Sequence, residues 1–253
     1  MTVGELAWRV ERACRNAWPA LRTAWLDDWQ LRLGEGLTRR ANSANPLRPD
    51  YRDKAALVAA CEALYSSHDQ PAIFRLPTII DAALDRRLAE RGYESEGESL
   101  VLYGEIAGVA AVADPAVQLL AQPSAGWFAA MALLQGHGER QSRIYRRIVE
   151  TLAVPAVFAL LTVDGEPAAL AYGAVSEGLL CYQSVVADRL RRRQGFAGRI
   201  VKSLAAWGRE QGVEGACLEV EADNLAALAL YHRIGLKTEL YRYHYRRQPP
   251  ARG

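Results

Sequence analysis

Residues 181–236 constrain the fold of this chain more than any other stretch. They begin with an apolar strand, which leads into a basic turn at 187–197 and then an amphipathic helix. A second short strand follows at 216–221, and a second helix opens at Asp223. This order places the free N–H groups of a helix N-terminus beside a glycine, an arrangement that suits a phosphate or pyrophosphate group.

The turn itself has residues that favour an anion. Gly195 lets the backbone approach a ligand closely and take a positive φ if required. Ala197 and Gly198 are small enough for phosphate oxygens to reach the first helical amides, and Arg191 adds positive charge together with its two neighbours. A solvated basic loop before an ordinary helix explains a single glycine-containing turn equally well.

Two motifs in this stretch resemble those of the GCN5-related N-acetyltransferase superfamily. The sequence Arg192-Arg193-Gln194-Gly195-Phe196-Ala197 is similar to the signature (Arg/Gln)-x-x-Gly-x-(Gly/Ala). Residues 224–236 are similar to the second block, Asn-x-x-Ala-x-x-Leu-Tyr-x-x-x-Gly-Phe, with Leu236 in place of the aromatic residue. The resemblance covers residues 114–247 well and the first 110 residues weakly.

The resemblance implies an α/β (α+β) fold with a mixed, mostly antiparallel twisted sheet flanked by helices. We expect an acetyltransferase domain at residues 111–253, preceded at 1–110 by a degenerate domain of the same kind. Around Gly92 the chain repeats the helix, glycine, apolar residue and strand found around Gly235. The first copy has no Gly-x-Ala turn, and Leu88 stands where Tyr231 stands in the second. A family-specific α/β extension is the alternative for this half.

The resemblance also assigns residues to the cosubstrate, acetyl-CoA. Backbone groups of Val185, Val186 and Ala187 would pair with the pantetheine arm, as an added strand does at a sheet edge. Asn224 matches the position whose side chain meets the pantetheine, although a helix N-cap also explains it. The pyrophosphate would lie on the turn and the first helical residues, namely Arg192, Arg193, Gln194, Gly195, Phe196, Ala197 and Gly198.

Tyr231 matches the general acid of the superfamily, which protonates the departing thiolate. A phenol with a pKa of about 10 stays protonated at neutral pH and can donate. The base is Glu219 or Glu221, and because strand side chains alternate we expect one of them to face the cleft and the other to be solvated. His137 and Glu139 are weaker candidates. The implied reaction is direct attack of an amine on the thioester in a ternary complex, without a covalent enzyme intermediate.

Composition argues against other classes of function. The net charge of +2 gives no general argument for nucleic-acid binding. Cys14, Cys61, Cys181 and Cys217 lack CxxC or metal-ligand spacing, so we expect neither a metal site nor a disulfide. Because no apolar run has the length of a membrane span and no apolar leader is present, we expect a cytoplasmic protein with no membrane partner, either a monomer or a homodimer.

The function favoured by these residues is transfer of an acetyl group to the primary amine of a small molecule. The polar segment 38–45 would support a small polar acceptor if Arg39, Arg40, Asn42 and Ser43 lined the site, but a strand leaving the core for a turn explains it more simply. A protein or peptide amine is the second acceptor class. A non-catalytic acyl-CoA-binding regulatory protein is the alternative from another class, and the retained tyrosine argues against it.

Periodicity and turn residues predict the remaining elements. We expect further helices at 3–18, 53–65, 79–91, 122–134 and 139–152, and further strands at 25–33, 72–76, 98–103, 157–163, 168–175 and 241–245.

Overall fold

The computed structural model describes residues 2–49 and 55–250 of the chain. Seven α-helices occur in this described part: α1 (Val3–Ala17), α2 (Ala55–Ser66), α3 (Ala83–Glu90), α4 (Ala125–Gln135), α5 (Glu139–Glu150), α6 (Phe196–Glu210) and α7 (Leu225–Ile234). Its strands are β1 (Arg22–Leu26), β2 (Trp29–Leu33), β3 (Ala44–Pro46), β4 (Ile73–Pro77), β5 (Glu94–Glu105), β6 (Val117–Leu120), β7 (Ala156–Val163), β8 (Glu166–Ser176), β9 (Leu179–Ala187), β10 (Gly215–Glu221) and β11 (Thr238–Arg247). Within that part, no helix combines the length and the apolar character needed to cross a membrane.

The chain forms two compact units, and each draws on both ends of the sequence. Unit 1 contains residues 1–19 and 101–240, and unit 2 contains residues 20–100 and 241–253. The division therefore does not follow a single boundary near residue 110. Helix α1 belongs to unit 1, and the last part of β11 belongs to unit 2.

The two units repeat one strand topology. In unit 2, β1, β2 and β3 are antiparallel neighbours and β3 pairs with β4 in parallel. In unit 1, β7, β8 and β9 are antiparallel neighbours and β9 pairs with β10 in parallel. The mixed, mostly antiparallel sheet with flanking helices that the sequence predicts is therefore confirmed.

The ends of α3 and α7 repeat the same backbone hydrogen bonds. The N–H of Tyr93 donates to the carbonyl of Leu88 at 3.0 Å, and the N–H of Leu236 donates to the carbonyl of Tyr231 at 3.0 Å. Between them, Gly92 and Gly235 have φ values of +80° and +112°, in the region where glycine is favoured. The alignment of these two glycines in sequence is thus matched by the geometry of the helix ends. The turn before α2, where the first copy of the phosphate loop would lie, includes residues 50–54, which are outside the described residues.

The tight turns explain one confirmed prediction and one error. Asp164 and Gly165 have φ values of +55° and +81°, as a two-residue hairpin turn requires, and they join β7 to β8 as predicted. The predicted single strand at 25–33 is wrong, because Asp27 takes φ +52° and reverses the chain. The segment forms the hairpin β1–β2, with Leu26 opposite Trp29.

Other element boundaries differ from the predictions. The helix expected at 79–91 begins at Ala83, and the helix expected at 122–134 begins at Ala125. Strand β6 was not predicted. The first two residues of the helix expected at 53–65 lie outside the described residues.

The polar segment 38–45 serves the fold of unit 2. Asn42 and Ser43 are buried, with 3% and 0% of their surface exposed. The Oδ1 atom of Asn42 accepts hydrogen bonds from the N–H groups of Gly34 at 2.8 Å and Gly36 at 2.9 Å. These bonds hold a turn, which agrees with the simpler interpretation of the segment, and the alternative in which Asn42 and Ser43 form a polar surface is wrong.

An aromatic cluster fills the core of unit 1. The ring of Trp127 on α4 lies 5.2 Å from that of Phe158 and 6.3 Å from that of Tyr145, between ring centroids. Its Nε1–H donates to the carbonyl of Ala159 at 3.1 Å. The side chain is completely buried, so it contributes through both apolar burial and a satisfied polar atom.

We expect Trp127→Ala to lower the free energy of unfolding by about 3–5 kcal/mol, because it opens a large cavity and removes the buried hydrogen bond from the indole Nε1–H. Urea denaturation followed by circular dichroism measures the change. Trp25→Ala is the matched control, since Trp25 is 61% exposed and its loss should change stability by no more than about 0.5 kcal/mol. Equal effects of the two substitutions would contradict this view of the core.

Candidate active site

The candidate site begins where two parallel strands part. Strands β9 and β10 pair from Leu179–Gly215 to Cys181–Cys217, and among the described residues their ladder ends there. Strand β9 continues to Ala187 and strand β10 to Glu221. Backbone groups beyond the ladder, including those of Val185, are thereby available to an extended ligand.

A bulge in β9 follows directly after the end of the ladder. Opposite β8, Gln183 pairs with Tyr172 and Val186 pairs with Leu170, so two residues of β9 occupy the place of one residue of β8. The first of these two, Ser184, has φ +54°, which is rare for a residue with a side chain. A bulge bends its strand and redirects the local backbone groups, and here it does so beside the gap.

The N-terminus of α6 lies next along the chain. Gly195 is its N-cap residue, with φ +78° and ψ 7°, and no side chain caps the helix. The first-turn amides of Phe196, Ala197 and Gly198 precede the first N–H that bonds within the helix, that of Arg199 to the carbonyl of Gly195 at 3.1 Å. Free amides at the positive end of a helix dipole attract an anion.

The arginines of the turn have different roles. Arg191 is held by the protein, because its guanidinium donates to Asp188 at 2.7 Å and to the carbonyls of Val163 at 3.1 Å and Pro167 at 2.9 Å. The hydrogen bond from the Arg191 guanidinium to the Asp188 carboxylate lowers the pKa of Asp188. Arg192 and Arg193 are exposed, as is Gln194. The charge available to an anion at this turn therefore comes from its three exposed arginines, Arg189, Arg192 and Arg193.

Phe196 and Gly198 fix the position of α6. The Phe196 ring is 7% exposed and anchors the turn in the core of unit 1. A Cβ atom on Gly198 would lie 3.4 Å from Cδ1 of Leu230 on α7. The small residue thus permits α7 to approach the beginning of α6 closely.

Two candidate residues of the second motif, Asn224 and Tyr231, lie at the start of helix α7 and within it. Oδ1 of Asn224 accepts from the N–H of Ala227 at 3.2 Å, so Asn224 is the N-cap of the helix. Its amide NH₂ group can still donate to a ligand. Tyr231 is 7% exposed, and burial raises the pKa of its phenol to about 12. A neutral, proton-donating phenol is therefore its form at physiological pH.

The two candidate bases lie on one face of β10. Glu219 and Glu221 are two residues apart, and side chains at this spacing point to the same side of a strand. Alternation therefore does not separate them, and the expectation based on it is wrong. They differ in exposure instead: Glu219 is half-buried and Glu221 is exposed.

The candidate bases share a face of β10 with Cys217, which contacts Cys14 of α1. Tyr182 follows Cys181 on β9 and so points to the other face, and burial raises its pKa.

Two further polar groups lie near the bulge: Tyr145, which has no signal in the linear sequence, and His137, which is one of the weaker candidates for the base. Tyr145 of α5 donates from its hydroxyl to Oγ of Ser184 at 2.8 Å. The ring of His137, in the loop between α4 and α5, lies 5.7 Å from the Tyr145 ring. Its Nδ1 is buried without a hydrogen-bond partner among the described residues, and burial lowers the pKa of the ring.

These residues also line a cavity. Its volume is about 320 Å³, and it is bounded by α4, α5 and the loop that joins them. Phe128, Met131, His137 and Tyr145 are among its lining residues. Mostly apolar walls with a few polar groups are typical of a small-molecule site.

Known proteins resemble the chain in sequence and in fold. The family model described as "Probable histone acetyltransferase Rv0428c C-terminal" matches residues 8–246. The protein named "Uncharacterized N-acetyltransferase YobR" from Bacillus subtilis is 25% identical over 246 residues, which cover 94% of this chain and 97% of the relative.

Among solved structures, a GCN5-related N-acetyltransferase from Kribbella flavida has a TM-score of 0.70 and 16% identity, covering 98% of this chain and 96% of its own. A tandem GNAT protein from the clavulanic acid biosynthesis pathway has a TM-score of 0.65 and 14% identity, covering 88% of this chain and 79% of its own. These two likenesses concern the fold.

We expect Gly195→Val to weaken CoA binding by at least about tenfold, because a β-branched residue disfavours the positive φ and shifts the first amides of α6. Isothermal titration with CoA measures the effect. Gly212→Val is the matched control at the opposite end of the same helix: its φ is +70°, and a Cβ atom has open space at both positions. A similar loss of binding in both variants would refute a specific role for the N-terminus.

Proposed function

We propose that this chain, which belongs to the Rv0428c C-terminal family of the GCN5-related N-acetyltransferase superfamily, transfers an acetyl group from acetyl-CoA to the primary amine of a small molecule. The observation that carries the proposal is the early end of the β9–β10 ladder. Strand β9 is followed along the chain by an uncapped helix N-terminus, and β10 is followed by the helix that carries the buried Tyr231. This arrangement joins a place for an extended thioester to an anion site and to a proton donor.

The residues beyond the ladder fit acetyl-CoA as the cosubstrate. Backbone groups of Val185, Val186 and Ala187 would bond the pantetheine arm, and the NH₂ group of Asn224 would donate to it from the start of α7. The amides from Gly195 to Gly198 would hold the pyrophosphate, with Arg192 and Arg193 adding charge from the exposed side of the turn. Bound there, acetyl-CoA supplies the activated acyl group.

The reaction needs no covalent enzyme intermediate. The amine nitrogen attacks the thioester carbonyl carbon, a carbon–nitrogen bond forms and the carbon–sulfur bond breaks. Tyr231 donates its proton to the departing thiolate, and the carboxylate of Glu219 or Glu221 accepts the proton lost by the amine, directly or through water. Holding the reactants in line supplies most of the acceleration.

The cavity between α4 and α5 favours a small acceptor. Tyr145 lines this cavity and also bonds Ser184 at the bulge, which connects the cavity to the place proposed for the thioester. Its volume of about 320 Å³ is at the lower end of the range for small-molecule sites. Arg143 and Arg146 also line the cavity, so an amine of modest size that also carries an anionic group suits its charge.

A protein amine is the second candidate acceptor. The description of the matching family includes the words "probable histone acetyltransferase", and that wording favours a lysine side chain in a protein.

One assay distinguishes a small amine from a protein amine as the acceptor. It measures the release of free CoA thiol with a panel of small amines, amino acids and lysine-containing peptides. Turnover with peptides alone would replace the small-amine proposal. CoA binding without turnover on any amine would favour a non-catalytic acyl-CoA-binding protein.

We expect Tyr231→Phe to lower kcat by about 10²–10⁴-fold, because it removes the proton donor and retains the ring. CoA binding should be unchanged within about threefold, since the acid acts in the transition state. Steady-state kinetics and titration with CoA measure the two effects. Tyr65→Phe is the control: it removes a buried hydroxyl in unit 2 that bonds backbone atoms of Arg32, and turnover should remain near the wild-type value.

The two candidate bases form a matched pair of variants. Substitution of the base by glutamine should lower kcat/KM by about 10² or more and remove the fall in rate that occurs as the carboxylate is protonated at low pH. Profiles of Glu219→Gln and Glu221→Gln between pH 4 and 9 identify the base. Unchanged acid limbs in both variants would exclude both carboxylates as the base.

A further inference from the structure

Three cysteines that are far apart in the sequence meet in the core of unit 1. Cys14 comes from α1, Cys181 from β9 and Cys217 from β10. All three are buried, and none of them forms a disulfide. Their sulfur atoms lie 4.0 Å apart for Cys14 and Cys217, and 3.4 Å apart for Cys181 and Cys217. All three sulfurs are within 4.8 Å of one another.

The spacing of the three sulfurs suits a metal ion. A triangle with these sides has its equidistant point about 2.1–2.4 Å from each sulfur, and a zinc–thiolate bond measures about 2.3 Å. An ion at that point needs little movement of the protein. The strand register supports the same geometry, because Cys181 and Cys217 are direct partners in the β9–β10 ladder.

We propose that Cys14, Cys181 and Cys217 bind one thiophilic metal ion, Zn²⁺ or Cu⁺, through their three thiolates. Soft sulfur ligands select these two ions over Mg²⁺ or Ca²⁺, which require oxygen. Cys61, the fourth cysteine, is buried in the separate core of unit 2 and takes no part.

Binding exchanges protons for the ion and transfers no electrons. Each thiol that becomes a ligand loses its proton to solvent, so binding strengthens as pH rises.

The ion would stabilise the framework of the active site. It would join α1, at the beginning of the chain, to the last paired position of β9 and β10. Directly beyond that position the strands part and β9 bulges at Ser184. Glu219 is two residues after Cys217 on the same face of β10. Because three thiolates carry more negative charge than Zn²⁺ or Cu⁺ neutralises, the loaded cluster would place net negative charge near a candidate base.

The test measures metal content in the full-length protein. The chain is produced in cells supplied with Zn²⁺ or, separately, with Cu⁺ under reducing conditions, and is also refolded with each ion. We expect one equivalent of metal per chain by elemental mass spectrometry. We also expect the Tm of the metal-loaded protein to be higher than that of the metal-free protein. Cobalt substitution should give a thiolate-to-metal charge-transfer band.

Cys217→Ser and Cys61→Ser form the matched pair, because both thiols are buried. Cys217→Ser should lose the metal and the cobalt band, while Cys61→Ser should retain both. Wild-type protein that binds neither ion, either in cells or on refolding, would overturn the proposal. Retention of the metal in Cys217→Ser would also overturn the proposal. Cobalt loading of the wild type without a thiolate-to-metal band would overturn it too, and that result does not depend on the folding of any variant.

Discussion

The early end of the β9–β10 ladder is the constraint on which the candidate site depends. Parallel strands that remain paired satisfy one another's backbone groups and leave nothing for a ligand. Here pairing stops at Cys181 and Cys217, and the bulge that begins at Ser184 turns the next residues of β9 away from a regular register. The positive φ of Ser184 is costly for a residue with a side chain, and the bond from Tyr145 to its hydroxyl helps to hold it.

The same gap lies at the ends of the segments that carry the candidate residues. Helix α6 begins shortly after β9 and presents its first-turn amides, while α7 begins after β10 and carries Tyr231. Alternation along β9 gives Tyr182 and Cys181 different faces, and the two candidate bases share the face of Cys217, the ladder partner of Cys181.

Much of this site follows from local sequence, and the rest depends on contacts that local sequence does not contain. The two motifs predict the features that belong to short segments. These are the positive φ of Gly195, the capping role of Asn224 and the glycine that ends α7, Gly235. Tyr145 could not be found in this way, because its partner Ser184 lies 39 residues further along the chain. Cys14 and Cys217, which are 203 residues apart, have no common local pattern.

The wrong prediction of one strand at 25–33 and the buried position of Asn42 both have physical causes. The large residues Trp25, Trp29 and Leu31 favour a single strand. Asp27 lies between them, however, and Asp tolerates the left-handed conformation that a hairpin turn needs. Asn42 has the composition of a polar surface, but its side chain replaces missing backbone partners inside unit 2. Polar residue type alone does not distinguish a group that binds a ligand from one that satisfies the protein's own amides.

The repeated topology shows which parts of the site are separable from the fold. Helices α3 and α7 end in the same way, with the same backbone bonds around Gly92 and Gly235. At the equivalent place, α3 has the completely buried Leu88 and α7 has Tyr231, which keeps 7% of its surface exposed. The apolar residue satisfies the packing need of that position without a proton to donate. Packing at this position therefore requires only a large buried side chain, and the hydroxyl of Tyr231 is an addition that the fold alone does not explain.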